Sequence, residues 1–230
     1  MPQQISVIIP AHNEEKYLEK TLQSLRQQNF LDYETIIVCN GCTDQTVEIA
    51  QKYLNRNTKI IPQNIADVSL ARNIGAKEAS GEILLFLDAD TELEPSSLKT
   101  VVEEYNDKTA VATTKTQPNI HKLKYKTITN LKNWYNQSSL YQGCSGVLIC
   151  RKKDFHSVGG YPVGIKVKEH RKLILKLKQL GEYQVIKTNA ITSMRRFEQW
   201  GIAKTSLFWA KQWAKNYLSD LKKSSYETIR

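Results

Sequence analysis

The run Ile83-Leu84-Leu85-Phe86-Leu87, followed at once by Asp88-Ala89-Asp90, constrains this chain more than any other stretch. Five consecutive apolar residues are too few for a globular helix and predict a strand buried on both faces. Such a strand belongs in the middle of a mostly parallel sheet covered by helices on either side. Asp88 and Asp90 stand where that strand leaves the core. Ionised carboxylates are costly to bury without compensation. A divalent cation is the usual compensation, and hard oxygen ligands on a short segment suit Mg²⁺ or Mn²⁺, with a polyphosphate supplying further ligands. The bland alternative is an ordinary strand end, with Thr91 to Pro95 opening a helix, and Asp-x-Asp alone does not separate the two.

The rest of the chain supplies the elements such a sheet needs. Ile5 to Pro10 is a β-branched run stopped by proline, hence a second buried strand. Asn13 suits the N-cap of a helix over 14–28, which places Tyr17, Leu18, Leu22 and Leu25 on one face. A strand over 35–39 ends at Asn40-Gly41. Thr43 or Asp44 then caps a helix whose apolar positions are Val47, Ile49, Ala50, Tyr53 and Leu54. A short strand at 59–61 and a helix over 69–79, closed by Gly81, complete the alternation. Further strands are expected at 111–114 and 147–151, and a helix over 168–181. This alternation predicts crossover units and a mostly parallel sheet, whose ligands bind at the carboxyl ends of the strands. Asn13 and Glu14, Asn40 and Asp44, and Asp88 and Asp90 all fall at that edge. Neither G-x-G-x-x-G nor G-x-x-x-x-G-K-[ST] occurs, which argues against a dinucleotide oxidoreductase and a P-loop NTPase.

Charge divides the chain in two. The net charge is +10, yet residues 1–110 carry 10 Lys/Arg against 17 Asp/Glu, and residues 111–230 carry 23 against 6. A basic half of this kind points to an anionic partner: a phosphorylated substrate, an anionic membrane surface or nucleic acid. Tyr125, Trp134, Tyr135 and Tyr141 interleave with lysines between Lys115 and Lys132, as in a single-strand nucleic-acid surface. An amphipathic connecting helix with a solvated lysine face is the favoured alternative, so nucleic acid is an unlikely partner. Apolar runs reach only about five residues, too short to cross a bilayer. With no signal peptide visible, a cytoplasmic location is expected, peripheral on the membrane face if the tail binds lipid. Cys39 and Cys42 have C-x-x-C spacing, but Cys144 and Cys150 make a poor second half for a zinc site.

Four motifs occur in order: Ser6-Val7-Ile8-Ile9-Pro10-Ala11-His12-Asn13-Glu14-Glu15, Asn40-Gly41-Cys42-Thr43-Asp44-Gln45-Thr46, Ala71-Arg72-Asn73-Ile74-Gly75-Ala76 and Asp88-Ala89-Asp90. Together they resemble the family-2 glycosyltransferases, and Gly143 to Val147 and Val158 to Pro162 extend the resemblance over most of the chain. It implies a GT-A fold, a nucleotide-diphosphate sugar donor, inversion at the anomeric carbon and an acceptor that is a sugar, a glycan or a polyprenyl phosphate. Residues 1–192 would form the GT-A domain and 193–230 a basic, Trp-rich extension. By the same resemblance, Pro10, His12, Asn13 and Glu14 line the nucleotide pocket, Asn40 and Asp44 flank base and ribose, and Arg72 supports the nucleotide. Asp88 lies near ribose and metal, and Asp90 is the principal ligand of Mn²⁺ or Mg²⁺. Capping would equally explain Asn13 and Asp44, and a solvated helix face would explain Arg72.

Two positions depart from the family pattern. The acidic residue usual at the end of the second strand, where it meets the base, is Cys39 here, a weak donor and poor acceptor. At the usual Glu-Asp-x-x-Leu, Glu169 and Leu173 remain, but His170 replaces the aspartate. An inverting transfer needs a base within reach of the acceptor hydroxyl. Glu169 is the first candidate. His170 is the second, and with its ordinary pKa of about 6.5 it would make the rate fall on mild acidification. Cys144, Ser145 and Gly146 are expected on the acceptor side. Arg195 and Arg196 suit a diphosphate or lipid phosphate, since guanidiniums match phosphate geometry. Beyond Gly201, Ile202, Trp209, Trp213, Tyr217 and Leu221 follow helical spacing, with Lys204, Lys211, Lys215 and Lys222 beside them. Such a helix suits an anionic headgroup layer, although core packing with solvated lysines would also explain it. A nucleic-acid-binding protein and a non-catalytic nucleotide-sugar-binding protein are the alternatives to an enzyme.

Overall fold

The structure, a computed structural model, describes residues 4–138, 141–144, 146–165 and 168–218, with side chains described as far as Lys211. The first half runs β1 (Ile5–Ala11), α1 (Leu18–Arg26), β2 (Tyr33–Asn40), α2 (Thr46–Gln51), β3 (Thr58–Gln63), α3 (Val68–Glu78) and β4 (Ile83–Leu87). The second half adds β5 (Thr91–Leu93), α4 (Ser97–Glu104), β6 (Thr109–Pro118), α5 (Leu123–Gln137), β7 (Val147–Arg151) and α6 (Lys152–Ser157). It closes with α7 (Glu169–Leu177), β8 (Glu182–Thr192) and α8 (Arg195–Leu218).

One eight-stranded sheet has the order β3-β2-β1-β4-β7-β6-β8-β5. β3, β2, β1 and β4 are mutually parallel, as the strand–helix alternation predicts. β7 runs antiparallel to both β4 and β6. The chain enters β7 from α5, which follows the carboxyl end of β6, so β7 must run back from that end. β8 is parallel to β6 and antiparallel to β5. The sheet is therefore mixed in its second half.

β1 and β4 alternate between two apolar layers. Val7, Ile9, Leu85 and Leu87 meet Leu18, Leu22 and Leu98 from α1 and α4. Ile8, Leu84 and Phe86 meet Ala71, Tyr161, Leu173 and Ile174 on the other face. Each fully buried aliphatic or aromatic side chain there contributes about 1.5–3 kcal/mol of transfer free energy. α3 lies close against the sheet because Gly75 has no Cβ; one built there would sit 2.4 Å from Ile8 Cγ2. That approach carries Arg72, one turn earlier, to the end of β4.

Local boundaries correct two expectations. Asn13 is not a helix cap: its φ is +53° and α1 begins only at Leu18. The helix expected over 168–181 covers Glu169–Leu177, because Lys168 adopts a left-handed conformation with φ +62°. Asp67 caps α3 by accepting a hydrogen bond from Leu70 N at 2.9 Å.

Candidate active site

The edge where β1, β2 and β4 end is built by side-chain to backbone hydrogen bonds. Asn40, 1% exposed, donates to Ala11 O at 2.9 Å, and His12 Nδ1 lies 2.6 Å from Asn40 O. Asn13 uses both ends of its amide on Thr43, donating to Oγ1 at 3.0 Å and accepting from N at 2.7 Å. Asp44 accepts from Thr46 N and Oγ1 and from Glu15 N. These donors hold its carboxyl below the ordinary range even though burial works against them. Thr46 in turn receives Glu14 N at 2.7 Å. The loops after β1 and β2 are thus laced into one polar floor with Pro10, a buried residue of β1, at its root. Cys39 turns instead into the apolar layer, 3% exposed, so it offers nothing to this floor.

Both carboxylates after β4 sit at this edge, and each meets an arginine. Arg72, 3% exposed, donates from Nη2 to Asp88 Oδ1 and from Nη1 to Glu169 Oε1, both at 2.8 Å. It is neither a solvated helix charge nor free to turn outward. Its Nε has no hydrogen-bond partner among the described residues. Burial raises the Asp88 carboxyl while the Arg72 guanidinium lowers it, and the guanidinium prevails. Arg195, at the head of α8, pairs both Nη atoms with Glu14 at 2.7 and 2.9 Å and lies 3.1 Å from Asp90 Oδ2. Even so, burial and the neighbouring Asp88 and Glu14 push the Asp90 carboxyl up to about 6. A carboxyl this short of positive charge fits a divalent cation, and aspartate oxygens are the hard donors Mg²⁺ and Mn²⁺ take. Among the described residues no group of three His, Cys, Asp or Glu is arranged for a metal, and Asp88 and Asp90 each face an arginine.

Gly146 shapes the turn that carries the acids. Its carbonyl accepts Asp88 N at 2.8 Å, and its φ of +78° and a Cβ that would fall 2.5 Å from Thr91 Oγ1 leave room for glycine alone. Cys144, half-buried nearby, has its thiol pushed up by burial and by Asp88. Ser145 lies outside the described residues. All four cysteines are free thiols, and Cys42 donates to Ala11 O at 3.4 Å.

Opposite the acid pair, Glu169 opens α7, where a carboxylate is favoured by the helix dipole. His170 Nδ1 lies 2.9 Å from the Tyr161 hydroxyl. Its Nε2 is buried without a hydrogen-bond partner among the described residues, 3.9 Å from Glu169 Oε1 and 4.0 Å from Asp88 Oδ1. Burial and Arg72 hold its pKa down to about 4, so the mild-acid titration of a free imidazole is displaced and the ring is neutral near pH 7. Tyr161 was not among the sequence candidates. Its ring also lies 5.2 Å beneath the Arg72 guanidinium, and Asn73 fixes it in place by bonding both its N and its O at 2.9 Å. The Arg72-Asn73 pair was the available signal: adjacent residues serve the acids and the facing turn.

The basic stretch forms the connecting helix favoured above, α5, with Lys124, Lys126 and Lys132 exposed. Tyr125 is buried, and Tyr135 stacks on Tyr141 at 5.0 Å, so these rings are occupied within the fold rather than presented to bases. Gly201, with φ 75° and ψ 166°, breaks α8 after one short turn. Between Ile202 and Lys211, Thr205 is the sole buried residue, which rules out core packing for this stretch. Arg196 lies over the rings of Trp200, Phe208 and Trp209 at 5.3–5.9 Å. The side chains of Trp213, Lys215, Tyr217, Leu221 and Lys222 lie outside those described.

Residues 6–154 match the family model described as glycosyl transferase family 2. The poly(ribitol-phosphate) β-N-acetylglucosaminyltransferase TarS of Staphylococcus aureus is 38% identical over 99 residues, 41% of this chain and 17% of its own. The GalNAc(5)-diNAcBac-PP-undecaprenol β-1,3-glucosyltransferase of Campylobacter jejuni is 33% identical over 113 residues, 45% of this chain and 35% of its own. This chain thus spans about a third or less of the curated relatives it matches. In three dimensions it resembles residues 1–349 of S. aureus TarS in complex with UDP-GlcNAc, with a TM-score of 0.69, 21% identity, and coverage of 98% of this chain and 62% of that one. It also resembles the Pyrobaculum calidifontis mannosyltransferase PcManGT in complex with GDP-Man and Mn²⁺, with a TM-score of 0.71, 15% identity, and coverage of 96% and 66%.

Proposed function

Because the chain belongs to glycosyl transferase family 2, we propose that it moves a hexose, with inversion, from a nucleotide-diphosphate sugar to an acceptor hydroxyl or lipid-borne phosphate. The observation that carries this reading is the Arg72 bridge. One buried guanidinium keeps Asp88, at the donor edge, and Glu169, at the head of α7, each 2.8 Å from one of its nitrogens. A donor-side acid and a proton acceptor held this close suit a displacement in which the leaving group and the attacking oxygen flank one carbon.

In this reading Pro10, His12, Asn13, Asn40 and Asp44 receive the nucleoside, and Arg195 and Arg196 recognise phosphate. Asp88 and Asp90 would hold Mn²⁺ or Mg²⁺, which when bound would offset the negative charge that grows on the diphosphate. Glu169 accepts the acceptor's proton as its oxygen attacks. His170, neutral and bonded through Nδ1 to the Tyr161 hydroxyl at 2.9 Å, packs beside the two carboxylates rather than taking that proton itself. Cys144 and Gly146 line the acceptor side, and the first turn of α8 works with the site although it follows the 1–192 domain. The donors in the two similar complexes, UDP-GlcNAc and GDP-Man, support a nucleotide-sugar donor without choosing the base. The undecaprenol-linked substrate in the name of the C. jejuni relative supports a membrane-borne acceptor and a role in cell-envelope glycan assembly.

The test is a thermal-shift panel of UDP-, GDP- and dTDP-sugars with and without Mn²⁺, followed by nucleoside diphosphate release on polyprenyl-phosphate and glycan acceptors. One nucleotide should raise Tm more with the cation than without it. Donor binding with no nucleotide release under any acceptor would instead identify a binding protein.

A further inference from the structure

α5 carries its apolar residues on the wrong side for a helix packed on a sheet. Tyr125, Thr129 and Asn136 are buried against the body. At 3.6 residues per turn, Leu123, Leu131 and Trp134 fall within about 80° of one another, on the side opposite those three. They are 81%, 64% and 62% exposed. Lys124 and Lys126, both exposed, fall on either flank of this stripe. A lone exposed leucine needs no explanation, whereas three large apolar side chains aligned along one outward face do. The charge around them is one-sided as well. From Lys108 to Lys153 the chain holds nine Lys/Arg and no Asp or Glu. On the buried side of α5, Tyr125 meets Phe197 of α8 at 6.3 Å, and farther along α8 Leu207 and Trp209 are 56% and 40% exposed.

We propose that the outward face of α5 docks on an anionic bilayer, with Leu123, Leu131 and Trp134 entering the headgroup layer and the flanking lysines meeting lipid phosphate. An apolar stripe edged by lysines, on a helix that itself carries no acid, suits that environment. A protein partner would have to be both apolar and strongly acidic to match it equally well. This deepens the proposal of a membrane-borne acceptor. Vesicle docking needs neither donor, cation nor catalytic residue, so a failure of sugar transfer leaves it standing, and the converse also holds.

The experiment is sedimentation of the full chain with vesicles of phosphatidylethanolamine and phosphatidylglycerol, against phosphatidylcholine alone, at low and high salt. Binding should favour the anionic vesicles. It should fall at least ~10-fold in Leu123→Gln/Leu131→Gln/Trp134→Gln and measurably in Trp134→Gln alone, with Tm unchanged because all three side chains already face solvent. Absence of binding to anionic vesicles overturns the proposal. So does binding that high salt abolishes but the triple variant retains, since charge alone would then suffice. A wild-type chain that self-associates in sedimentation velocity without binding vesicles, and is dispersed by the triple substitution, assigns the face to a second copy and also overturns it.

Discussion

Replacing Arg72 with methionine keeps the volume of the side chain and removes its charge. Two carboxylates then lose a partner, and their environments set the cost. Glu169 is 12% exposed, so its arm of the bridge behaves as a buried pair whose loss costs about 3 kcal/mol. Asp88 is 36% exposed, and solvent screening limits its arm to about 1 kcal/mol. The sum, about 4 kcal/mol, corresponds to a fall in Tm of roughly 8–16 °C for a chain of this size. The pH dependence separates lost charge pairing from lost packing. In the wild type the depressed Asp88 pKa gives stability that is present above the ordinary carboxylate value and lost only as pH falls through the lowered one. In the variant Asp88 keeps its desolvation and loses the guanidinium that opposed it, so acidification protonates and relieves it. The deficit at pH 8 should therefore shrink by about 1 kcal/mol or more at pH 5. Urea unfolding at the two pH values measures both quantities, and a double-mutant cycle with Glu169→Gln should show coupling of about 1–3 kcal/mol. A deficit below ~1 kcal/mol at pH 8, or one that does not change with pH, would refute the claim that Arg72 holds these acids together.

Three further outcomes follow from the same geometry. Asp90→Asn should raise the Tm of the ligand-free protein at pH 8, by up to about 3 kcal/mol of relieved burial, and abolish any Mn²⁺-dependent rise in donor affinity. The sign follows because a carboxyl raised to about 6 destabilises the fold only where it is ionised, so the gain should vanish as pH falls below the ordinary carboxylate value. Glu169→Gln should lower the transfer rate by about 10²–10⁴. His170→Phe should cost less and leave the pH profile between 6 and 8 the same as that of the wild type, a titration of His170 being displaced to about 4.

The parallel half of the sheet was legible because β1, β2 and β4 are short β-branched or apolar runs ended by proline, Asn-Gly or aspartate. β8 escaped because its residues alternate between buried positions such as Ile186 and Ala190 and exposed ones such as Lys187, with polar residues throughout. β5, three residues long, has no periodicity to detect. Asn13 misled for a chemical reason: the short amide that makes asparagine a good cap also makes it tolerant of positive φ, and here the second property decided. The acids at the strand ends were visible as residue types in place. Their partners were not, since Arg72 and Glu169 are 97 residues apart and Arg195 and Glu14 are 181 apart, and no local pattern encodes such a pairing.

Those long-range pairs set the charge at the strand edge. Glu14, Asp88, Asp90 and Glu169 bring four carboxylates to one edge, and Arg72 and Arg195 each bridge two of them. His170, held down to about 4, adds no charge near neutrality. Four acids against two guanidiniums and the Lys132 ammonium, which feels both Asp88 and Asp90, leave the edge short of positive charge, and the raised Asp90 carboxyl is the local sign of that deficit. A diphosphate approaching such an edge alone would meet repulsion, which a low local dielectric makes stronger than the same charges would feel in water. The arginines cannot serve the diphosphate and both pairs of acids at once. An anionic donor therefore suits this edge only together with a cation or after release of Arg195 from Asp90, and the Asp90→Asn and Mn²⁺ titrations distinguish the two routes.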